Sequence, residues 1–383
     1  MKSSPHFFIF GYFGWFNVGD DAIGLSLIKE LKERYPDAIL TVTSNDSYFV
    51  ENFCGTSIYE DLEIIGFEIS SILWEITKSD YFIITGGTHF HDEDGLNLGR
   101  LKILLSFVML TSYSRLFGKS PFLLGHGVGS LSSLWSQCLV KVILNNCKKV
   151  FVRDTKSFEL VSSLGFYKKC MQGFDCTAAM IKPKMKFNVG FQQNNRKIIG
   201  ISILPAFTIY SNNAEKDMTI AKSLASCLNK ILQNNNSLRI HLFAFRTGTK
   251  HSDIQLLNVL IGELKAPLDG IKLIQYDGNV EKFLNLMDEC DYYIGMRYHA
   301  SLFAYLLNKP QIILDYMDKC NSLGQDIVIE EAAIIPILNI LKPEFCSTVQ
   351  SLIRDPSKYR AMLPVHTAKM RAGKMFSNLD EEL

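Results

Sequence analysis

The stretch DYYIGMRYHA, from Asp291 to Ala300, decides how this chain folds. Its first five residues are mostly apolar and aromatic and end in a glycine, which predicts a buried β-strand. The residues from Ser301 to Leu307 predict a helix, and Gln311 to Leu314 predict a second strand that leads to Lys319. A strand, a helix and a strand in this order predict a βαβ unit with parallel strands.

The same alternation continues on both sides of this stretch. Short apolar runs predict further strands at Phe7–Phe13, Ala38–Thr43, Asp80–Thr85, Pro121–Gly125, Lys149–Val152, Ile198–Ile203, Leu238–Phe245 and Ile271–Gln275. Helical patterns lie between them, so each half of the chain predicts its own parallel sheet. We therefore expect an α/β protein with two Rossmann-like domains facing a central cleft, because ligands bind beyond the carboxyl ends of such strands.

Residues 181–197 separate the two halves. They contain Lys, Asn, Gln and Pro without clear periodicity, as a linker does. The predicted division is an N-terminal domain at residues 1–180, this linker at 181–197, a C-terminal domain at 198–342 and a helical tail at 343–383.

The composition argues against several classes of protein. The chain has 383 residues, and the 47% that are hydrophobic are enough for two cores. A net charge of +1 argues against nucleic-acid binding, which normally needs a basic patch or domain. The nine cysteines are scattered and predict neither a disulfide framework nor a zinc site. Reduced thiols predict a cytoplasmic protein.

Neither a signal peptide nor a membrane-spanning helix is expected. The first ten residues lack the long apolar region of a signal peptide, and no apolar run reaches the length of a span. The segment from Leu101 to Phe117 comes nearest, but Lys102, Ser106 and Arg115 interrupt it. We interpret this segment as a buried amphipathic helix, and contact with a membrane surface is the alternative.

A glycine-rich stretch, residues 11–22, follows the first predicted strand and precedes a helix. Its glycines, among them Gly19, allow the backbone to approach a ligand, and the helix N-terminus attracts an anion. Asn17 can both donate and accept hydrogen bonds, and Asp20 can accept a proton. The alternative for Asp20 and Asp21 is that they only cap the helix. The spacing is not that of a dinucleotide fingerprint.

The sequence TGGTHFHD, residues 85–92, follows another predicted strand. Gly86 and Gly87 favour a loop that lines a sugar or a phosphate. His89 and His91, with acidic residues after them, could also hold a metal, but the wider H-x-H-x-D-H pattern is not met. We predict no metal here, and a purely structural loop is the other alternative.

Two further predicted strands end in motifs that suit a ligand. GHGVG, residues 125–129, contains His126, which is either a pocket residue or a surface residue. Arg153 follows the next strand, and its guanidinium can bind a carboxylate or a phosphate through two hydrogen bonds. The alternative for Arg153 is a salt bridge, either to Asp154 or to an aspartate at the domain interface.

The densest group of cations lies where the opening stretch turns into its helix. Arg297 and His299 flank that turn, and Lys319 follows the next strand. Together they predict a cationic pocket in a nearly neutral protein, which suits a phosphorylated substrate. A histidine on an apolar helix is usually structural, but the arginine beside it at a strand-to-helix turn favours a function for His299.

Taken together, these motifs resemble the polysaccharide pyruvyl transferase family. The residues that carry the resemblance are N-x-G-D-D-A from Asn17, G-G-T from Gly86, G-H-G-V-G from Gly125, R-D-x-x-S from Arg153, G-F-D-C-T-A from Gly173, R-Y-H-A from Arg297 and Y-x-x-K from Tyr316. They occur in the family's order and cover the chain from about Gly11 to Lys319. Each motif alone is weak evidence, whereas the ordered set is fairly specific.

The resemblance implies a GT-B-like pair of Rossmann domains, with residues 1–180 on the acceptor side and 198–342 on the donor side. It implies transfer of the pyruvyl group of phosphoenolpyruvate to a pair of sugar hydroxyls on a glycan or lipid-linked saccharide. The products are a pyruvate ketal and phosphate. Phosphoenolpyruvate is then a co-substrate, no cofactor or metal is required, and the expected location is the cytoplasm or the inner face of the membrane.

The same resemblance places Asp20, Arg153, His299 and Lys319 among the functionally important residues and Arg297 at the donor site. The chemistry of the donor then suggests their roles. His299 is the expected general acid for the enol ether carbon, and Asp20 orients or deprotonates the acceptor hydroxyl. Arg153, Arg297 and Lys319 bind the phosphate and the carboxylate. The remaining substrate-binding candidates are Asn17, Gly19, Gly86, Gly87 and His126.

Two positions depart from the family pattern, and two other functions stay open. Thr88 stands where the family often has a third glycine, and His126 stands where it often has a glutamine, which affects acceptor specificity more than donor chemistry. One alternative is a GT-B glycosyltransferase that uses a nucleotide sugar. The other is a glycan- or nucleotide-binding protein without turnover.

Overall fold

A computed structural model describes most of the chain, namely residues 4–45, 62–92, 95, 97–181, 197–235, 237–248, 251–265 and 270–383. Residues 182–196 of the expected linker lie outside the described residues, as do Glu93 and Asp94 of the considered metal site.

The chain divides into two compact units. The first contains Met1–Trp15, Gly19–Met180 and His366–Leu383, and the second contains Phe16–Val18 and Ile181–Val365. The expected separate tail, residues 343–383, is shared between them, because its first helix belongs to the second unit and its last helix to the first.

The first unit is built on a parallel sheet of eight strands. The strands are β1 (His6–Phe13), β2 (Ile39–Ser44), β3 (Leu62–Ile65), β4 (Tyr81–Thr85), β5 (Thr88–Phe90), β6 (Phe122–Val128), β7 (Lys149–Val152) and β8 (Cys170–Gln172). Their order is β3-β2-β1-β4-β6-β7-β8, and β5 pairs with β6 outside this path. A first strand with its successors on both sides is the arrangement of a doubly wound, Rossmann-like sheet.

Helices connect these strands and cover the sheet. They are α1 (Val18–Arg34), α2 (Ile69–Lys78), α3 (Leu98–Leu116), α4 (Leu134–Asn146), α5 (Thr155–Val161) and α6 (Thr177–Met180), with a π-helical turn at Ser162–Phe166. On one face of the sheet, Phe8 and Phe82 stack at 5.2 Å between ring centroids. Ile76, Phe107 and Val140 from three different helices pack into the same core. Strands buried on both faces explain the nearly continuous apolar runs in the sequence.

The second unit repeats this design with six parallel strands. They are β9 (Lys197–Ser202), β10 (Leu238–Ala244), β11 (Ile271–Gln275), β12 (Tyr292–Gly295), β13 (Gln311–Asp315) and β14 (Ile334–Pro336), in the order β11-β10-β9-β12-β13-β14. Gly200 on β9 pairs with Tyr293 on β12, and a Cβ at Gly200 would lie 2.4 Å from the Tyr293 ring. A larger residue at this position would therefore clash with the core.

The helices of the second unit follow the same alternation. They are α7 (Ala206–Ser211), α8 (Ala214–Gln233), α9 (Ile254–Glu263), α10 (Val280–Asp288), α11 (Tyr298–Leu306), α12 (Asp318–Asp326) and α13 (Pro343–Arg354), with 3₁₀ turns at Glu331–Ala333, Ile337–Leu341 and Pro356–Tyr359. The last helix of the chain is α14 (Val365–Glu382).

The structure confirms all ten predicted strands and adds four short ones. The strands that the pattern does not predict are β3, β5, β8 and β14, which have four residues or three. Runs this short show no clear alternation. Helix α1 begins at Val18, so Asp20 and Asp21 lie in its first turn and the interpretation of either as its N-cap is wrong.

Helix α3 contains the segment that we interpret from the sequence as a buried amphipathic helix. One side is indeed buried, through residues such as Leu104, Phe107 and Leu110. The opposite side exposes Leu105 and Met109, so the interpretation holds for only one side. Among the described helices, none is both long enough and apolar enough to span a bilayer.

Candidate functional site

Candidate residues gather at the carboxyl ends of four adjacent strands in the second unit. Tyr210 on α7 follows β9, and Asp253 follows β10 immediately before α9. Arg297 follows β12, and Tyr316 and Lys319 follow β13. Because all strands of this sheet are parallel and β10, β9, β12 and β13 are neighbours, these residues lie along one edge. We call this group the second-unit edge.

An ion pair between Arg297 and Asp253 organises this edge. Arg297 occupies the N-cap position of α11, and its Nε donates to Asp253 Oδ2 at 2.8 Å while its Nη2 donates to Oδ1. Backbone amides of Phe245 and Arg246 donate to the same carboxylate, each at 3.0 Å. Burial alone would lower the pKa of Arg297, but the Asp253 carboxylate outweighs it and raises that pKa. The guanidinium is therefore a fixed cation.

One nitrogen of this guanidinium is left for a ligand. Nη2 of Arg297 also lies 3.4 Å from the His251 carbonyl oxygen, whereas Nη1 donates to no described residue. Nη1 carries two N–H donors in the rigid plane that Asp253 fixes. The N-terminus of α11 lies at the same position and adds the positive end of its dipole.

Aromatic side chains and a lysine complete the second-unit edge. The rings of Tyr210 and Tyr316 lie 6.2 Å apart, and Lys319 Nζ lies 5.6 Å from the Tyr316 ring centroid. Burial is the main cause that raises the pKa of Tyr316, so its hydroxyl stays protonated. The structure thus places Lys319 close to Tyr316 at the same edge as Arg297, as the two motifs predict.

His299 lies on the first turn of α11, two residues after Arg297. Its half-buried ring packs 5.1 Å from the Tyr298 ring and 5.6 Å from the Phe303 ring. The imidazole therefore lies between two aromatic rings on the first turn of this helix. The general-acid role assigned to His299 stays a prediction.

The first unit has a corresponding edge centred on Arg153, at the carboxyl end of β7. Its Nη1 donates to Asp175 Oδ2 at 3.2 Å, and its Nη2 donates to Thr88 Oγ1 at 3.0 Å. The side chain is 2% exposed. Of the alternatives for Arg153, the structure shows a buried ion pair within one unit, mainly with Asp175 rather than with the more distant Asp154. Binding of substrate by Arg153 stays a prediction.

Glycines shape the first-unit edge around this arginine. A Cβ on Gly127 would lie 2.7 Å from Thr88 Oγ1 and 3.1 Å from Arg153 Nε, so this position has no room for a side chain. Gly86 has a φ of 127°, which only glycine adopts without strain. A Cβ on Gly87 would lie 3.8 Å from Asp20 Oδ1, so Asp20 faces this loop. The structure therefore brings Asp20 and the two predicted glycines together.

His126 is fully buried beneath this edge, so the surface alternative is wrong. Its ring lies 4.5 Å from Phe90 and 5.2 Å from His89, and His89 in turn stacks on Tyr12 at 4.7 Å. Neither ring nitrogen of His126 has a hydrogen-bond partner among the described residues. Burial above all, then His89 and Arg153, lower the pKa of His126 well below its usual range. This histidine is therefore neutral.

The structure separates Asn17 from the other residues of its motif. Asn17 belongs to the second unit, where it forms an antiparallel bridge with Arg246. The flanking backbone is held there as well, because Val18 N donates to Phe245 O at 3.0 Å. Gly19 and Asp20 belong to the first unit. The sequence motif N-x-G-D-D-A therefore spans the boundary between the two units.

Asp92 has a structural role that the metal interpretation does not include. Its carboxylate accepts the backbone amides of Ser132 and Ser133, at 2.5 Å and 2.8 Å. Burial opposes ionisation here, but these amides outweigh it and lower the pKa of Asp92. This carboxylate fixes the loop before α4. The buried His91 and the half-buried His89 lie on the preceding turn and strand.

The pattern does not identify Asp175 and Asp253 as the partners of the two arginines. Asp175 lies within the quoted motif G-F-D-C-T-A, which is the only sequence signal for it. Asp253 follows a predicted strand end after eight residues, too far for the pattern to mark it. Tyr210 is likewise unmarked. Asp175, Asp253 and Tyr210 each lie at least 22 residues along the chain from their partners Arg153, Arg297 and Tyr316. Strand order therefore brings these pairs together.

The family model of the polysaccharide pyruvyl transferases matches residues 17–318. The chain belongs to the polysaccharide pyruvyl transferase family. Membership in this family makes the protein a transferase that modifies polysaccharides. The matched range contains the residues of both edges except Lys319, which follows its last residue. No curated protein matches the sequence.

Several solved structures have a similar fold, among them UDP-GlcNAc 2-epimerases and glycosyltransferases. MnaA of S. aureus in complex with UDP has a TM-score of 0.66 and 13% identity, over 99% of this chain and 96% of that one. UDP-GlcNAc 2-epimerase from Neisseria meningitidis bound to UDP-GlcNAc has a TM-score of 0.63 and 13% identity, over 99% of both chains. A glycosyltransferase from Rickettsia africae has a TM-score of 0.55 and 14% identity, over 99% of this chain and 97% of that one. These likenesses confirm the predicted GT-B-like fold.

Proposed function

We propose that this member of the polysaccharide pyruvyl transferase family transfers the pyruvyl group of phosphoenolpyruvate to two hydroxyls of a sugar. The methylene carbon of the donor gains a proton, its second carbon gains two bonds to sugar oxygens, and the bond to phosphate breaks. Of the two protons that the hydroxyls lose, one balances the new methyl group and the other leaves with phosphate. The product is a pyruvate ketal on a glycan or lipid-linked saccharide.

The observation that carries this proposal is the geometry at Arg297. Asp253 fixes the guanidinium plane through Nε and Nη2, and Nη1 stays available to an anion. Lys319 lies at the same edge and has no ion pair with any described residue. In the proposal these two cations bind the carboxylate and the phosphate of phosphoenolpyruvate and stabilise charge on the leaving group.

His299 is the proposed proton donor to the methylene carbon. A histidine suits this step because its usual pKa lies near neutral pH, so it can both hold and release a proton. Its packing between Tyr298 and Phe303 supports a fixed orientation. In the proposal, protonation gives the second carbon oxocarbenium character, and a sugar hydroxyl attacks that carbon.

The first-unit edge is the proposed acceptor side. Asp20 faces the loop of Gly86 and Gly87, where a backbone free of side chains lets a sugar approach closely. Asp20 orients or deprotonates the acceptor hydroxyl. Arg153 donates to Thr88 and Asp175 and so supports this edge in the proposal, and its direct binding of substrate stays a prediction.

The proposal needs no metal and no cofactor beyond the co-substrate, because arginine and lysine supply the positive charge. It also includes a cytoplasmic location. Every described cysteine is a free thiol, which supports a reducing compartment.

The test is an assay of phosphate release with defined donors. The protein is incubated with phosphoenolpyruvate and a panel of glycans, and ³¹P NMR follows the donor and phosphate signals while mass spectrometry detects ketal formation. Acceptor-dependent phosphate release with a matching mass increase is expected. Phosphoenolpyruvate that binds without turnover for any acceptor would instead indicate a binding protein.

A second candidate function is glycosyl transfer from a nucleotide sugar. The fold and a cationic edge beyond parallel strands would also suit a diphosphate. The same assay with UDP-sugars separates the two functions, because this reaction releases a nucleoside diphosphate and no phosphate. Activity with UDP-sugars alone would overturn the pyruvyl proposal.

A further inference from the structure

The outer surface of helix α3 is apolar, where a helix face turned to solvent is normally polar. Leu98, Leu105, Met109 and Leu116 are all exposed, and Leu116 is 83% exposed. They are separated by seven, four and seven residues, so they form one straight stripe along the helix. Lys102 is exposed within the same stripe.

Packing inside the first unit does not account for this stripe. In the C-terminal half of α3 the buried side carries Thr111 and Ser114, while the exposed side carries Met109 and Leu116. Thr111 Oγ1 accepts a hydrogen bond from Asn146 Nδ2 at 3.3 Å, so this polar group points inward. The exposed side of this half is therefore more apolar than the solvent-facing side of a helix normally is.

Helix α4 extends the apolar surface beside α3. Asn146 Nδ2 donates to Ser112 Oγ at 3.0 Å, and Arg115 Nη1 donates to the Asn145 carbonyl oxygen at 3.3 Å, so the two helices lie side by side. Trp135 on α4 is 73% exposed, and Val142 is exposed as well. Helix α2 packs into the same core and adds the exposed Trp74. Two of the three tryptophans in the chain are thus exposed on helices that cover this core.

The charge of this surface has a single sign. From the first residue of α3 to the last residue of α4, residues 98–146 contain five Lys and Arg and no Asp or Glu, in a chain whose totals are 40 and 39. Lys102, Arg115 and Lys141 are exposed, and none of them forms an ion pair with a described residue. Apolar and basic side chains therefore alternate on α3 and α4 with no acidic residue between them.

We propose that the exposed faces of α3 and α4 dock on an anionic lipid bilayer. Exposed Leu and Met enter the boundary between headgroups and acyl chains, and tryptophan rings prefer the same depth. Lys102 and Lys141 extend from within the apolar surface to the anionic headgroups. This inference goes beyond the proposed function and does not depend on it, although a membrane-bound protein would meet a lipid-linked acceptor directly.

A second copy of the chain fits this surface less well. A two-fold dimer would place the surface against itself, so that Lys102, Arg115 and Lys141 of both copies would enter one interface. With no acidic residue between 95 and 153, these charges would stay uncompensated.

The first experiment measures co-flotation of the full chain with lipid vesicles. Vesicles that contain phosphatidylglycerol are expected to carry the protein, vesicles of phosphatidylcholine alone are expected to carry much less, and added salt is expected to reduce binding. The double variant Leu105→Glu/Met109→Glu is expected to lower the bound fraction at least about tenfold. Lys102→Gln and Lys141→Gln are each expected to lower it about fivefold.

A matched control carries the same change of charge elsewhere. Met362 and Met370 are exposed but lie outside this surface, so Met362→Glu/Met370→Glu is expected to bind vesicles like the wild type. Circular dichroism and the unfolding midpoint of both double variants are expected to equal those of the wild type, because all four positions are exposed. A loss of vesicle binding with the fold intact therefore reports on the surface.

Tryptophan emission gives an independent readout. Phosphatidylglycerol vesicles are expected to shift the emission to shorter wavelength, and the shift is expected to vanish in Trp74→Phe/Trp135→Phe, which retains only Trp15. The proposal is overturned if the wild type does not float with anionic vesicles. It is also overturned if Leu105→Glu/Met109→Glu floats as well as the control Met362→Glu/Met370→Glu. A lipid-free dimer that Leu105→Glu/Met109→Glu abolishes would assign the surface to a second copy instead.

Discussion

The carboxyl edges of the two sheets both place an arginine beside an aspartate, yet they leave the two arginines in different states. Asp175 and Thr88 engage Arg153 at two of its nitrogens, and its side chain is 2% exposed. Asp253 holds Arg297 through Nε and Nη2 only, and its side chain is 14% exposed. The residue type at a strand end therefore does not decide its role, whereas its partners do.

The residues around the two arginines also differ. The first-unit edge is lined by glycines and by His126, which burial keeps neutral. The second-unit edge adds Lys319 and two tyrosines to its arginine. A closely packed edge whose arginine is paired suits an uncharged sugar, and an edge with cations left for a ligand suits a phosphorylated donor. The following predictions test this difference, from the largest effect to the smallest.

Replacing the proposed proton donor is expected to have the largest effect. His299→Ala removes general acid catalysis, so pyruvyl transfer is expected to fall by about 10²–10⁴-fold in kcat. Binding of phosphoenolpyruvate, measured by calorimetry, is expected to change little, since Arg297 and Lys319 remain. His366→Ala, at an exposed position on the last helix, serves as the control and is expected to keep full activity. Full transfer by His299→Ala would show that another group donates the proton.

Breaking the buried pair of the first unit is expected to destabilise the protein strongly. Asp175→Asn removes the charge that compensates Arg153, so the free energy of unfolding is expected to fall by about 3–5 kcal/mol. Asp277→Asn breaks the exposed pair with Lys282 and is expected to cost less than about 1 kcal/mol. Urea unfolding monitored by circular dichroism measures both. Equal losses in the two variants would contradict the structural role of Arg153.

The two glycines of the first-unit edge are expected to respond differently to alanine. Gly86→Ala forces a side chain into a φ of 127°, which is expected to cost about 1–3 kcal/mol of unfolding free energy. Gly87→Ala meets no atom closer than 3.8 Å and is expected to have little effect on stability. Thermal unfolding of the two variants side by side distinguishes them. A larger loss for Gly87→Ala would mean that the loop is shaped differently.

The smallest expected effect is a pH dependence caused by His126. Its folded-state pKa is lowered, mainly by burial, so below about pH 6.5 the unfolded chain binds a proton that the folded chain does not. Stability from this group is therefore expected to fall as the pH falls, by about 1.4 kcal/mol for each pH unit. His126→Gln removes this titration. In urea unfolding, the free energy of unfolding of the wild type relative to His126→Gln is thus expected to fall from pH 7.5 to pH 5.5. A difference that does not change with pH would contradict a buried neutral histidine.

Much of the fold can be predicted from the sequence because parallel strands leave a strong local signal. Tyr292–Gly295 is buried on both faces and forms an apolar run that ends in glycine. Phe122–Val128 is also buried and begins with an apolar run that Gly125 ends. The short strand Cys170–Gln172 leaves no such signal, because three half-buried residues do not form a pattern. Helix α11 begins at Tyr298 rather than at the predicted Ser301, since helix ends depend on backbone geometry more than on apolar spacing.

The candidate site is less predictable, because it depends on pairs of residues far apart in the chain. The motifs place Lys319 with Arg297, and the structure puts both at one edge. No motif predicts that Asp20 lies beside Gly87. The motifs also do not predict that Asn17 joins the second unit through Arg246. Local sequence cannot encode such pairings, because they follow from strand order and from the path of each connection.

The sequence by itself determined that this protein has two parallel α/β units, and which residue types end their strands. Only the tertiary structure decided that Arg153 is sequestered by Asp175 while Arg297 keeps Nη1 for a ligand. It also decided that one side of the apolar segment in α3 faces outward. The physical reason is the same in each case. Burial along a strand or a helix follows from local periodicity, whereas charge pairing and exposure depend on which elements the crossover connections place side by side.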